Sequence, residues 1–96
     1  MTKLLIADDH DLVRETIADY LRQQAGFDVD TARSLEDALE RDARHGGYDI
    51  VLIDYSMPGM DGLSGLSKMR AQSKARVAIL SGTAPADVAQ RAVQMG

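Results

Sequence analysis

The sequence predicts an α/β protein built on a doubly wound parallel sheet, and three observations lead to this prediction. Strand-like and helix-like apolar patterns alternate along the chain in the order βαβαβαβα. Several of the strand-like runs are almost continuously apolar, which suits strands buried on both faces of a parallel sheet. No repeat, linker or low-complexity segment interrupts the alternation, so we expect residues 1–96 to form one domain. This order implies right-handed crossovers, with helices on both faces of the sheet.

The first part of the chain predicts a strand, a helix and a second strand. Lys3–Ala7 is predicted as a buried strand, and Phe27–Thr31, which alternates apolar and acidic residues, as a strand at an edge of the sheet. Between them a helix is predicted over Asp11–Gln24, with Gly26 ending it. Apolar residues recur along this helix at spacings of three and four positions. They are Leu12, Val13, Ile17, Tyr20 and Leu21.

The second helix is predicted from its capping residue and its apolar spacing. Ser34 can accept a hydrogen bond from the first turn, and Asp37 is a weak partner for a capping box. Gly46 and Gly47 interrupt the pattern and end the helix. The expected buried positions are Leu35, Ala38, Leu39 and Ala43.

The second half of the chain predicts another buried strand, a loop and a short helix. Asp49–Ile53 is the predicted strand, and the Pro-Gly and Asp-Gly steps within residues 54–62 predict the loop. The helix follows from Leu63, Leu66 and Met69, although Gly65 weakens its helical preference.

A last strand and helix are predicted before the chain reaches Gly96. Val77–Leu80 is continuously apolar, and Pro85 begins a helix. The apolar positions of that helix are Val88, Ala89, Ala92 and Val93. Doubly wound sheets usually close with a further strand and helix. We expect four βα units, a (βα)4 arrangement, without that closing strand and helix. A buried-type strand at 77–80 would then be exposed at an edge, which predicts self-association.

Composition and charge argue against several classes of protein. The formal net charge is −4, and the 11 basic residues are scattered among 15 acidic ones. We therefore expect neither nucleic acid nor an anionic membrane to bind this segment by itself. The absence of cysteine excludes disulfides and thiolate metal sites. Met1-Thr2-Lys3 leads directly into the first strand without the apolar stretch of a signal peptide or membrane span, so we expect a cytoplasmic setting.

Three aspartates directly follow two of the buried strands. Asp8 and Asp9 come after the first, and Asp54 comes after the strand at 49–53. In an open α/β sheet, ligands bind outside the carboxyl ends of the strands, so these carboxylates should meet at one rim. Three clustered negative charges repel one another, and some of the carboxylates would take up protons unless a cation lies among them. The arrangement predicts a divalent metal site with a spare carboxylate for chemistry.

Three motifs, each following a strand, together resemble the receiver domains of bacterial response regulators. They are Leu4-Leu5-Ile6-Ala7-Asp8-Asp9-His10, Asp54-Tyr55-Ser56-Met57-Pro58-Gly59-Met60-Asp61-Gly62 and Ala78-Ile79-Leu80-Ser81-Gly82. Their order and separations match the family throughout residues 1–96, which implies a flavodoxin-like receiver fold. The Ala-Asp-Asp-His start looks most like receivers of helix-turn-helix transcription factors.

The resemblance implies a role for each site residue and a set of partners. Asp54 would accept a phosphoryl group from a histidine kinase or phosphotransfer protein. Asp9 would bind Mg²⁺ directly and Asp8 mainly through water, with Asp54 and the backbone carbonyl of Ser56 completing the ligands. Ser81 would hydrogen-bond the phosphoryl group and switch an output. His10 we interpret as a residue of the loop and helix entry.

The sequence leaves two alternatives to a phosphorylated receiver. The family has a lysine at the end of a fifth strand, a position that falls after Gly96, and no other lysine of this chain can replace it. The first alternative is therefore a truncated or degenerate receiver that acts as an interaction module without phosphate. The second is an enzyme, a haloacid-dehalogenase-like phosphatase, but that family needs an aspartate where Ser56 stands. We expect no enzyme.

Overall fold

The computed structural model describes residues 1–24, 26–54, 57, 60 and 63–80, with the backbone alone for residues 63 and 80. The predicted helix after Pro85 lies outside these residues. Four strands and three helices alternate in the described part. They are β1 (Thr2–Ala7), α1 (Asp11–Arg22), β2 (Phe27–Ala32), α2 (Leu35–Arg44), β3 (Ile50–Asp54), α3 (Leu63–Gln72) and β4 (Arg76–Leu80). Within this part, no helix has the length and apolar character needed to cross a bilayer.

The strands form one parallel sheet in the order β2-β1-β3-β4, which confirms the predicted fold class and the edge position of β2. Successive residues of β1 face opposite sides of the sheet. Leu4 and Ile6 pack in one apolar cluster with residues of α1. Leu5 and Ala7 pack in a second cluster with residues of α2 and α3. The sheet is therefore covered by helices on both faces, as a doubly wound fold requires.

The burial of β4 fits the edge position predicted for it. Its continuous apolar run is typical of a strand buried on both faces, yet Val77, Ala78 and Ile79 are only partly buried. In the described part of the chain, β4 pairs with β3 alone. Its place at the end of the strand order of the described residues agrees with this partial burial.

The apolar spacing of α1 agrees only in part with the face that this helix buries. Leu12 is 81% exposed and Tyr20 is 46% exposed, although both belong to the apolar spacing of this helix. The buried residues recur at three and four positions, as on one helix face. They are Arg14, Ile17, Ala18 and Leu21. The sequence pattern missed this face because a charged residue occupies one of its positions.

The N-terminus of α2 confirms the predicted cap and corrects its details. Ser34 Oγ accepts a hydrogen bond from the backbone N–H of Asp37 at 3.0 Å. The Asp37 carboxylate accepts from the N–H of Arg33 at 3.2 Å, so no reciprocal capping box with Ser34 is seen. Further along, Ala43 is exposed and Asp42 is buried instead, because Asp42 has polar partners described below.

Gly65 lies in a regular helix and brings the loop after β3 close to it. A Cβ atom at this position would lie 2.6 Å from the Cα and 2.6 Å from the Sδ of Met60. The N–H of Gly65 donates to the carbonyl of Met60 at 2.6 Å. Met57 and Met60, both in the segment that follows Asp54, are almost fully buried. Gly65 therefore permits the close approach of Met60 to α3.

Candidate functional site

Strand register brings the first aspartate of the rim level with the last residue of β3. Ala7 of β1 pairs with Ile53 of β3, so the next residues, Asp8 and Asp54, lie side by side. The N–H of Asp8 also donates to the carbonyl of Ala32 in β2 at 3.1 Å, which extends the pairing by one residue. Asp8 is therefore bonded to β2 and lies beside the end of β3 at the carboxyl edge of the sheet.

The three predicted aspartates lie together at this edge. Asp8 and Asp54 are buried, with 4% and 8% of their surface exposed, whereas the Asp9 side chain is 34% exposed. One oxygen of each of these three carboxylates and a ring nitrogen of His10 all lie within 4.8 Å of one another. We refer to Asp8, Asp9, His10 and Asp54 as the acidic rim. The other two predicted site residues, Ser56 and Ser81, lie outside the described residues.

His10 contributes to the acidic rim in a way that the sequence did not predict. Its backbone N–H donates to Asp8 Oδ1 at 2.8 Å, and its position before α1 agrees with the predicted helix entry. Its ring Nδ1 lies 3.1 Å from Asp8 Oδ1, 3.3 Å from Asp9 Oδ1 and 3.7 Å from Asp54 Oδ2. The hydrogen bond to Asp8 and the negative charge of Asp9 raise the pKa of His10 above 6.5. The imidazolium form is therefore favoured among these carboxylates.

Arg14 is a second residue of the site that sequence reasoning missed. It is 5% exposed, and its Nη1 donates to the backbone carbonyl of Asp8 at 3.0 Å. Its Nη2 lies 2.8 Å from Asp11, and its Nε donates to Glu15 at 3.0 Å. Burial acts to lower the pKa of Arg14, but these two carboxylates outweigh it and raise the pKa. The signal in the sequence is an arginine on the buried face of α1, three and four residues before Ile17 and Ala18.

The donor atoms of the acidic rim suit a hard divalent cation. Mg²⁺ is commonly held by one or two carboxylates and retains several waters, so a complete cage of protein ligands is not needed. The partly exposed Asp9 leaves this side of the rim accessible to solvent. The carboxylates of Asp8 and Asp54, in contrast, are largely removed from water. The residues present therefore fit a Mg²⁺ ion, and they also leave a carboxylate available for chemistry.

Known proteins resemble this chain in both sequence and fold. The family model of the response regulator receiver domain matches residues 4–96. A glycerol metabolism activator from Pseudomonas putida is 37% identical over all of this chain, which spans 44% of that relative. The receiver domain of the hybrid histidine kinase CckA superposes with a TM-score of 0.78 at 28% identity, covering 97% of each chain. TrrA from Thermotoga maritima, solved in complex with Mg²⁺ and BeF, gives a TM-score of 0.72 at 32% identity, covering 96% of this chain and 81% of that one.

The match extends along almost the whole chain and agrees with the geometry of the site. The chain spans 26% to 44% of the first three curated relatives, so it corresponds to one part of those longer proteins. The family match covers the parallel sheet, the helices on both faces and the acidic rim. We conclude that this chain belongs to the family of response regulator receiver domains.

Proposed function

We propose that this chain is a phosphoacceptor whose Asp54 takes a phosphoryl group from a histidine kinase or phosphotransfer protein. The observation that carries the proposal is the position of Asp54 in the acidic rim. Its carboxylate ends β3, is largely buried, and belongs to a cluster with Asp8 and Asp9. Two of the solved receivers support the partner and the chemistry: one belongs to a hybrid histidine kinase, and the other was solved with Mg²⁺ and BeF.

In the proposed reaction, the Asp54 carboxylate is the nucleophile. One of its oxygens forms a bond to phosphorus while the bond between phosphorus and the donor nitrogen breaks, and the donor keeps that electron pair. The product is an aspartyl phosphate, a mixed anhydride that water can later hydrolyse. Burial of Asp54 limits the approach of water and so favours transfer over hydrolysis.

The neighbouring carboxylates would hold the cation that this transfer needs. We assign Asp9 and Asp54 as direct ligands of Mg²⁺, with the backbone carbonyl of Ser56, and Asp8 as a ligand acting mainly through water. When bound, the cation offsets the repulsion between the nucleophile and the incoming phosphoryl oxygens. The hydrogen bond that Asp8 accepts from the backbone N–H of His10 and the anchoring of the Asp8 backbone to β2 keep this acid in place.

Ser81 is the proposed residue that detects the phosphoryl group. Phosphorylation adds about −1.5 to −2 charge and new acceptor oxygens, which a nearby hydroxyl can recognise. The hydroxyl of Ser81 would donate to one of these oxygens. The resulting movement of Ser81 would transmit the signal to the output. A Bacillus subtilis relative, 35% identical over this chain, is named a transcriptional regulatory protein, which supports transcription as that output. The absence of cysteine suits the reducing cytoplasm, where we place this function.

Labelling with a small phosphodonor and Mg²⁺ tests the assignment of Asp54. The wild type should be labelled and Asp54→Asn should not, because an amide cannot attack phosphorus as a carboxylate does. Asp28→Asn is the matched control, since Asp28 is an exposed aspartate on β2. Equal labelling of the wild type and Asp54→Asn would refute the site. A wild type that binds Mg²⁺ but takes no label would favour the alternative, an interaction module that works without phosphate.

We also propose that the chain associates with itself through the outer edge of β4. Val77, Ala78 and Ile79 are apolar and only partly buried, and in the described residues this strand pairs on one side only. Such an edge offers backbone donors and acceptors to a second strand. Light scattering over a range of concentrations should show a rising average mass. A constant monomer mass at the highest concentration would contradict this proposal.

A further inference from the structure

The position of the His10 ring within the acidic rim has no part in the function proposed above. Its Nδ1 approaches one oxygen of each of the three carboxylates, at 3.1 Å from Asp8, 3.3 Å from Asp9 and 3.7 Å from Asp54. The side chain is 64% exposed, so the ring reaches the acids from the solvent side. The rim therefore presents four convergent ligand atoms, of which one is a nitrogen.

These separations match those between neighbouring ligands of one octahedral ion. With bonds of about 2.1 Å, adjacent ligand atoms lie about 3.0 Å apart and opposite ones about 4.2 Å apart. The 3.1 Å and 3.3 Å distances from His10 Nδ1 are close to the first value. All four ligand atoms lie within 4.8 Å of one another, which leaves room for both adjacent and opposite positions.

The backbone of His10 is held in place before any ion binds. Its N–H donates to Asp8 Oδ1 at 2.8 Å, and its carbonyl accepts from the N–H of Arg14 at 2.9 Å in the first turn of α1. A ligand that is already anchored on both sides loses little conformational freedom when it coordinates. The imidazole is therefore held close to the acids, and its Nδ1 can coordinate an ion once the ring has released its proton to water.

We propose that His10 is a ligand of the acidic rim and that it raises the affinity of the site for divalent transition metals such as Ni²⁺ and Co²⁺ relative to Mg²⁺. Imidazole nitrogen is a preferred ligand of those ions, whereas Mg²⁺ is held by oxygen. This inference rests on the proposed function, because it uses the same carboxylates. It adds that a residue of this chain determines which ions the site selects.

Metal titration of the full chain, without a histidine tag and at one fixed pH, tests the proposal. The probes are Ni²⁺ and, separately, Mg²⁺, followed by calorimetry and by NMR signals of the two imidazoles. His10→Gln should weaken Ni²⁺ binding by about tenfold or more. Loss of a residue that only supports a metal ligand already lowers metal affinity by about tenfold to a hundredfold, so loss of a ligand should cost at least the lower value. The same variant should bind Mg²⁺ as tightly as the wild type or more tightly, since a positive group has been removed from the rim.

The matched control is His45→Gln, because His45 is the only other histidine and lies at the C-terminal cap of α2. It should leave the Ni²⁺ affinity unchanged, and Ni²⁺ should broaden the His10 signals first. The inference is overturned if the wild type does not bind Ni²⁺, if His10→Gln binds it as well as the wild type, or if His45→Gln causes the loss. Failure of Mg²⁺ to bind the wild type would instead refute the proposed function. Circular dichroism of each variant verifies that it folds.

Discussion

The guanidinium of Arg14 holds the backbone of Asp8: its Nη1 donates to the Asp8 carbonyl at 3.0 Å from within the buried face of α1. A charged group in this position ties the first helix to the end of β1. Because Asp8 and Asp9 follow β1 directly, this bond also restrains the strand end that presents two carboxylates of the acidic rim. The relationship joins packing of α1 to the geometry of the candidate metal site.

Removal of the Arg14 guanidinium should lower both stability and metal affinity. Arg14→Met keeps an apolar stem but leaves the Asp8 carbonyl without this donor, so we expect a loss of about 1–3 kcal/mol in the free energy of unfolding. Urea denaturation measures that loss, and calorimetry measures the accompanying fall in Mg²⁺ affinity. Arg44→Met is the control, since Arg44 is 66% exposed and forms a surface ion pair with Glu40 on α2. If both variants bound Mg²⁺ like the wild type, Arg14 would have no influence on the site.

Substitution of Gly65 by alanine should lower the stability of the protein, whereas the same change stabilises an ordinary helix. Such a change normally stabilises a helix interior by about 0.5–1 kcal/mol. Here the added Cβ would lie 2.6 Å from the backbone of Met60, so we expect destabilisation of about 1–3 kcal/mol through overpacking. Thermal and urea unfolding test this expectation. Ser67→Ala, at an exposed position of the same helix, should be nearly neutral. A Gly65→Ala protein more stable than the wild type would show that the loop readily moves away.

Asp42 should be essential to the packing of the two helices on one face of the sheet. It is 6% exposed, and its Oδ1 accepts from the N–H of Tyr48 at 3.0 Å and from Ser73 Oγ at 3.0 Å. Asp42→Ala would leave these donors without that acceptor, at about 1–3 kcal/mol for each buried group. A double-mutant cycle with Ser73→Ala measures the coupling, which we expect at about 0.5–3 kcal/mol. Purely additive losses would argue against the bond, and Glu36→Ala is an exposed control on α2.

The phenol of Tyr48 should make stability fall at alkaline pH. Burial, and then its hydrogen bond to Asp30 Oδ2 at 2.7 Å, raise the pKa of Tyr48 above 10.0. Because the pKa is raised in the folded state, the stability that the neutral phenol contributes is complete below pH 10.0. It is lost as the pH rises towards the pKa of the folded state. Urea unfolding from neutral to alkaline pH should therefore show a steeper decline in the wild type than in Tyr48→Phe. Tyr20→Phe, at a half-exposed residue, is the control, and identical pH profiles of Tyr48→Phe and wild type would contradict the assignment.

Sequence reasoning located the strands well because each leaves a short, local signal. β1 and β3 were predicted within one residue at each end, since an apolar run that stops at an aspartate needs no knowledge of the rest of the chain. Helix faces were predicted less accurately. Leu12 fits the apolar spacing of α1 yet is exposed, and Asp42 breaks the spacing of α2 yet is buried. Burial of a polar side chain depends on partners distant in sequence, such as Ser73, which spacing does not reveal.

The sequence by itself determined the family, the alternation of strands and helices, and the three aspartates of the rim. Each follows from a motif or a periodicity that is read along the chain. Only the tertiary structure decided what surrounds those aspartates. The β1–β3 register set Asp8 beside Asp54, the fold of α1 buried Arg14 against the Asp8 carbonyl, and the helix entry turned the His10 ring into the acids. These contacts depend on register, helix packing and side-chain direction, which become defined when the sheet and helices assemble.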